Sequence, residues 1–216
     1  MNIGRKFNII SVIKRIFKST LIALLVFCIV SLIFPINDKV EYAPIVYSKE
    51  GKPLYAWLTK DEQWRMFAEL PSITPEIIKS FIYKEDKRFY YHPGVDPIAL
   101  GRAFVKNIIG NSRTSGASTI TMQVARMLDR KPRTYINKFI EIFRAFQLEL
   151  KYSKDEILQL YLNLVPMGYN IQGVKAAALI YFEKSPDQLS LAEITALTII
   201  PNKPNQLKVG IHNNEI

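Results

Sequence analysis

The stretch from Lys84 to Pro97 reads KEDKRFYYHPGVDP and places two carboxylates directly before a cluster of rings. Glu85 and Asp86 fall where a predicted helix ends and a turn begins, and Phe89, Tyr90, Tyr91 and His92-Pro93-Gly94 follow at once. A carboxylate beside apolar rings loses solvation, the setting that suits a general base. Taken alone, the same stretch reads more readily as a charged helix end with satisfied surface side chains. A second stretch, SGASTITMQVARMLDRKPR from Ser115 to Arg133, brings hydroxyls (Ser118, Thr119, Thr121) to a helix start. There Gln123 and Arg126, three residues apart, share one helical face. Helix amides, hydroxyls and an arginine together make a phosphate site; the plainer alternative is a Ser/Thr cap on an amphipathic helix. In a third stretch Lys138, Glu141 and Glu149 lie on one helical stripe, which either sets a carboxylate among cations or forms a surface ion pair.

These residues need a frame, and the rest of the chain supplies a mostly helical one. Ile45 to Leu58 reads as two short strands around the turn-rich Lys49–Pro53. Thr74-Pro75 and Asp96-Pro97 each open a helix with proline at its first position, the helices running to about Asp86 and Gly110. Asn111 to Gly116 is a polar loop. Further helical patterns cover about 118–129, 135–151, 154–164, 171–181 and 190–199. Ser153 with Glu156 and Ser190 with Glu193 form capping-box pairs, and Pro201 and Pro204 stop the last helix. Leu158, Tyr161 and Leu162 read as core.

Ahead of this domain, Ser19 to Asn37 carries no charge, and Leu21 to Phe34 is almost wholly apolar. A spanning helix needs roughly 17–25 such residues. Five basic residues and no acidic ones precede it in the first 18 positions, while Asp38 and Glu41 follow. The positive-inside rule therefore predicts a single-pass signal anchor in the inner or plasma membrane, with a cytoplasmic amino terminus and an extracytoplasmic domain. A cleaved signal peptide fits less well, because no small-x-small site follows the apolar run. The predicted organisation is a basic segment over 1–18, the anchor over 19–37, a polar linker over 38–44 and a catalytic domain over 45–216.

Composition narrows the chemistry. One cysteine, Cys28, excludes an intramolecular disulfide. With only two histidines beside it, a zinc site of nitrogen and sulfur ligands is excluded as well. Any divalent ion must be held by oxygen, including substrate phosphate. A net charge of +10 points to an anionic partner, and the anchor puts the domain on the wrong side of the membrane for nucleic acid.

Each stretch is ambiguous by itself, but their order and spacing resemble one family. EDxxFxxHxG (from Glu85) followed by GxSTxTxQ (from Gly116) is the pairing found in family 51 peptidoglycan glycosyltransferases, either monofunctional or in the amino-terminal half of class A penicillin-binding proteins. GASTITMQVAR and RAFQLEL are closest in flavour to the 1C type. The resemblance runs from Ile45 to Leu207 and includes a fifth motif, LSLAEITALTIIPNKPNQL. It implies a mainly α, lysozyme-like domain with a small β-hairpin behind one transmembrane helix. It also implies an inverting transfer that polymerises lipid II into β-1,4-linked glycan and releases polyprenyl pyrophosphate.

Carried over by residue, the resemblance makes Glu85 the catalytic base and places Glu141 near the departing pyrophosphate, with a divalent cation (Mg or Mn) as a companion and no organic cofactor. Arg126, Arg133 and Lys138 correspond to the residues that hold the pyrophosphate. Ser118, Thr119 and Gln123 correspond to cleft-lining positions, and Asp86, Phe89 and His92 to positions that shape the cleft. Implied partners are lipid II, the growing glycan strand, membrane lipid contacted by residues such as Ile108 and Ile109, and other cell-wall synthesis proteins. Two positions depart from the pattern: Glu183 stands where YFGK has glycine, and Asn137 stands where a basic pair opens the third motif. The competing expectations are a truncated or inactive relative that only binds cell-wall components from its membrane anchor, and a lytic transglycosylase-like enzyme that cleaves glycan.

Overall fold

The computed structural model describes residues 9–51, 53–109, 118–202 and 204; the predicted loop over Asn111 to Gly116 and the side chains of Ile108 and Ile109 lie outside that description. The chain divides into two units, Met1–Asn37 and Asp38–Ile216. The first contains one helix, α1 (Ile9–Ile33). Its stretch from Ser11 to Ile33 is long and apolar enough to cross a membrane, by length and composition. The helix starts earlier than the apolar run because neither glycine nor proline interrupts the sequence until Pro35, so Lys14, Arg15 and Lys18 are helical too.

The second unit opens with residues 38–44, expected as a polar linker. They have no regular structure, yet they are bonded to the body. Asp38 accepts from Lys151 and from Tyr152 Oη. Arg65 Nη1 donates to the Glu41 carbonyl at 2.8 Å, and the Ala43 amide donates to the Arg65 carbonyl at 2.7 Å. The predicted hairpin is present as β1 (Ile45–Tyr47) antiparallel to β2 (Pro53–Ala56). A second, unforeseen sheet pairs β3 (Trp64–Arg65) in parallel with β4 (Ile171–Gln172). Two-residue strands carry no alternation to read; a buried bond from Arg65 Nε to Gln172 Oε1, 2.8 Å, fastens this one.

Among the described residues seven α-helices follow: α2 (Pro75–Glu85), α3 (Pro97–Ile109), α4 (Ile120–Leu128), α5 (Tyr135–Lys151), α6 (Lys154–Leu164), α7 (Val174–Phe182) and α8 (Leu191–Ile199). Both capping boxes form, at Ser153/Glu156 and Ser190/Glu193. The two proline openings differ. Asp96 Oδ1 accepts from the amides of Ile98 and Ala99, whereas Thr74 caps nothing and its hydroxyl is buried without a partner. The helix expected from 171 begins at Val174, because Gly173 takes φ +85° where a Cβ would sit 2.6 Å from the Asn163 carbonyl oxygen. Only glycine tolerates that approach. The core centres on α4, whose Ile120, Met122 and Val124 are fully buried, packed against α5 and α6. Beside it α2 packs on α8, burying Ile77 and Phe81 from one and Leu197 from the other.

Candidate active site

Glu85 is the last residue of α2, and Asp86 breaks the helix with φ −157° and ψ 76°. That break sends the two neighbouring carboxylates to different environments. Glu85 lines a cleft of about 570 Å³, while Asp86 turns inward and its side chain is 4% exposed. One backbone amide and one side-chain ring nitrogen meet Asp86 there. The Ile120 amide donates to Oδ2 at 3.0 Å, and His92 Nε2 lies 3.0 and 3.1 Å from the two oxygens. An ionised carboxylate only accepts, so His92 donates from Nε2.

The shell around this pair is closed. Phe89 is fully buried against the His92 ring, and Lys154 Nζ stands 4.6 Å over the Phe89 ring. Lys154 also donates to the His92 carbonyl and to Glu149, both at 2.7 Å, and Glu149 accepts from Thr121 at 2.6 Å. Glu149 is thereby separated from Lys138 and Glu141, although the helical stripe had grouped all three. Gly94, at φ +85°, closes the turn; a Cβ there would meet Glu149 Cγ at 2.9 Å and the Ala145 carbonyl oxygen at 3.2 Å. In this way the end of α2, the His92 turn and the starts of α4 and α6 form one block, and Glu85 projects from it.

The same cleft is lined by cations. Lys138 Nζ donates to Ser118 Oγ at 2.7 Å and to Glu141 Oε1 at 2.6 Å. Arg126 projects from α4, and Arg133 comes from the segment before α5. Six cationic side chains line the cleft (Lys84, Arg126, Lys131, Arg133, Lys138, Arg144) against three carboxylates (Glu85, Asp129, Glu141). Among the described residues no carboxylate pairs with Arg126 or Arg133. A cleft of this sign concentrates anions. Lys84, Lys131 and Arg144 were not singled out from the sequence; the basic run Arg130-Lys131 and the spacing of Arg144 three residues after Glu141 were the available signals.

Of the residues read from sequence, Glu85, Ser118, Gln123, Arg126, Arg133, Lys138 and Glu141 converge on this cleft. Gln123 Nε2 donates to Glu85 Oε2 at 2.9 Å, which orients the carboxylate. Thr119 does not line the cleft. It is 2% exposed, caps α4 by accepting from the Met122 amide, and donates to the Gly94 carbonyl at 2.5 Å. The phosphate site expected at the start of α4 is corrected for the same reason: Asp86 and Thr119 already occupy the Ile120 and Met122 amides. An anion in the cleft meets side chains instead. Asp86, Phe89 and His92 sit behind the cleft wall as supports.

No cluster of three His, Cys, Asp or Glu among the described residues could hold a metal ion. A divalent ion here would have Glu141 as its protein carboxylate and would need further oxygens from substrate. Taken together, the geometry offers a positioned carboxylate facing a set of cations, an arrangement for moving a proton on one side while stabilising negative charge on the other.

Comparison with known proteins yields a family model described as Transglycosylase, which matches residues 50–216. Penicillin-binding protein 1C of Escherichia coli (strain K12) is 39% identical over 174 residues, covering 81% of this chain and 22% of that protein. Penicillin-binding protein 1A of the same organism is 42% identical over 161 residues, covering 74% of this chain and 19% of that protein. Penicillin-binding protein 1A of Haemophilus influenzae is 35% identical over 200 residues. The chain thus spans about a fifth of the length of these relatives.

Proposed function

The chain belongs to the transglycosylase family, the family 51 domain of class A penicillin-binding proteins, and from that premise we propose that it is a peptidoglycan glycosyltransferase that polymerises lipid II. Glu85 takes the proton from the 4-hydroxyl of the acceptor sugar. The freed oxygen attacks the anomeric carbon of the donor from the face opposite its pyrophosphate, so the α-linked donor becomes a β-1,4 bond. The anomeric C–O bond breaks, and its electron pair leaves with the polyprenyl pyrophosphate. Arg126, Arg133 and Lys138 hold that leaving group, and preorganised cations at a developing charge are a large catalytic contribution. Gln123 fixes the plane of the base. Magnesium or manganese at Glu141 and the pyrophosphate oxygens would add neutralising charge at the same place.

The observation that carries this reading is the shared cleft: one oriented carboxylate and six cations open into the same space. Glycan cleavage needs an acid beside a neutral polymer and has no use for that excess of cations. The apolar α1 supports a membrane anchor, with the basic flank inside and the domain outside. An amphiphilic substrate would then be confined to the same surface as the enzyme.

The test incubates the full chain in detergent with labelled lipid-linked disaccharide-peptide and Mg, beside Glu85→Gln. We expect lysozyme-digestible polymer from the native chain and a rate lowered by about 10²–10⁴ in the variant. A folded native chain that binds precursor but makes no polymer would favour the inactive, cell-wall-binding relative.

A further inference from the structure

Behind the Glu85 wall lies a polar group that neither the fold nor the proposed mechanism uses. Tyr161 is on the buried face of α6 with Ile157, Leu158 and Leu162, and none of its surface is exposed. Its ring packs edge-on against Phe81, centroids 6.1 Å apart. Phe81 precedes Glu85 by one helical turn, so the two share a face of α2. The Tyr161 hydroxyl is buried and bonded to no group among the described residues. Burial pushes the phenol well up, the Glu85 carboxylate pushes it further, and the Arg126 guanidinium opposes. The ring contact sets Tyr161 against the face of α2 that ends at Glu85. Phenylalanine would fill the same volume without desolvating a hydroxyl for no return. Glu85, for its part, receives one bond, from Gln123 to Oε2, and no described residue bonds Oε1.

We propose that Tyr161 is a positioning residue whose hydroxyl donates to the Glu85 carboxylate when substrate fills the cleft, holding the base between two donors. With Gln123 on one oxygen and Tyr161 on the other, the carboxylate loses its rotation about the terminal bond. A lone pair then stays directed at the acceptor hydroxyl. A donor to the charged carboxylate also keeps it unprotonated once substrate has displaced solvent. This inference rests on the glycosyltransferase reading given above.

Full-length native protein and Tyr161→Phe are compared in detergent, with polymerisation of labelled lipid-linked precursor followed across pH and thermal unfolding read in parallel. The charged groups that line the cleft with Glu85 (Lys84, Arg126, Asp129, Lys131, Arg133, Lys138, Glu141 and Arg144) are common to both proteins, so differences isolate the hydroxyl. Removing a donor to the charged form favours the protonated carboxyl, so the acid limb of the variant's profile moves to higher pH. We expect kcat lower by about tenfold, KM little changed and the limb shifted by about one pH unit. The variant should melt at or above the native temperature, because an unpaired buried hydroxyl is gone. Equal kcat and pH profile in an active native protein would overturn the inference alone. A variant that melts well below native would overturn it in favour of a structural role. A native protein without polymerase activity would remove the functional reading, and this inference with it.

Discussion

The two walls of the cleft are built in opposite ways. The wall that carries Glu85 is backed by bonded groups: buried Asp86 against His92 and the Ile120 amide, buried Thr119 between α4 and the Gly94 carbonyl, and half-buried Lys154 over Phe89. The facing wall presents long cations at the surface. Lys138 is 36% exposed and donates to Ser118 and Glu141, Arg133 comes from an irregular segment, and Lys131 pairs with Asp129 and Arg144 donates to Gln147, each within three positions. Proton transfer depends steeply on placement, so a base must be held within hydrogen-bond reach of its target. Attraction between charges falls off slowly with distance, so several cations stabilise a spread charge without exact placement. On the proposed reading, the fold sets its buried polar network behind the carboxylate that serves as base.

This contrast predicts opposite phenotypes. Asp86→Ala leaves the His92 Nε2 and Ile120 donors buried without their acceptor, and each buried donor left unsatisfied costs about 1–3 kcal/mol. Denaturant unfolding of the full chain in detergent should show that loss directly, with inactivity following from it. Lys138→Ala removes a half-exposed cation and should change stability by no more than about 1 kcal/mol. Its effect should instead appear in the polymerisation rate, lower by about 10²-fold at unchanged fold. If Lys138→Ala unfolded the chain as readily as Asp86→Ala, the cationic wall would be structural and the contrast would be wrong.

Glu85 and three of the six cleft cations (Arg126, Arg133 and Lys138) were legible in the sequence, through motifs whose order and spacing resemble the family's, whereas Lys84, Lys131 and Arg144 were not. Residues 135–151 and 154–164 are helices at the expected bounds, since caps at Thr134 and Ser153 and an apolar stripe state both ends and face. What remained illegible depended on distant contacts. Thr119 looked like a ligand because a hydroxyl at a helix start can point either way, and only the Gly94 carbonyl, 25 positions earlier, settles it. Glu149 shared a stripe with Glu141, yet Lys154 and Thr121 claim it. The Arg65 bond that fastens β3 to β4 joins residues 107 positions apart. Tyr161 read as core, which its burial confirms, while its unpaired hydroxyl appears only in three dimensions.

A third substitution supplies the baseline against which both walls are read, with the smallest expected effect. Glu183 ends α7 in the left-handed region at φ 55°, ψ 31°, with its amide bonded to the carbonyls of Ala178 and Leu179. Glycine is the residue that ordinarily ends a helix this way, and an L side chain there costs roughly 1–2 kcal/mol. Glu183 lines neither wall, and its exposed side chain makes no bond or ion pair among the described residues. Glu183→Gly keeps the amide bonds and relieves the backbone. Part of the gain is offset by the greater freedom of glycine in the unfolded chain. The net should be about 1 kcal/mol of added stability, or about 3 °C in Tm for a chain of this size. The polymerisation rate should stay at the native value, because the relieved strain lies outside the block that holds Glu85. A slower enzyme with a higher Tm would mean instead that the bent end of α7 is coupled to the cleft through α6, and that the rigid wall extends further than its hydrogen bonds show.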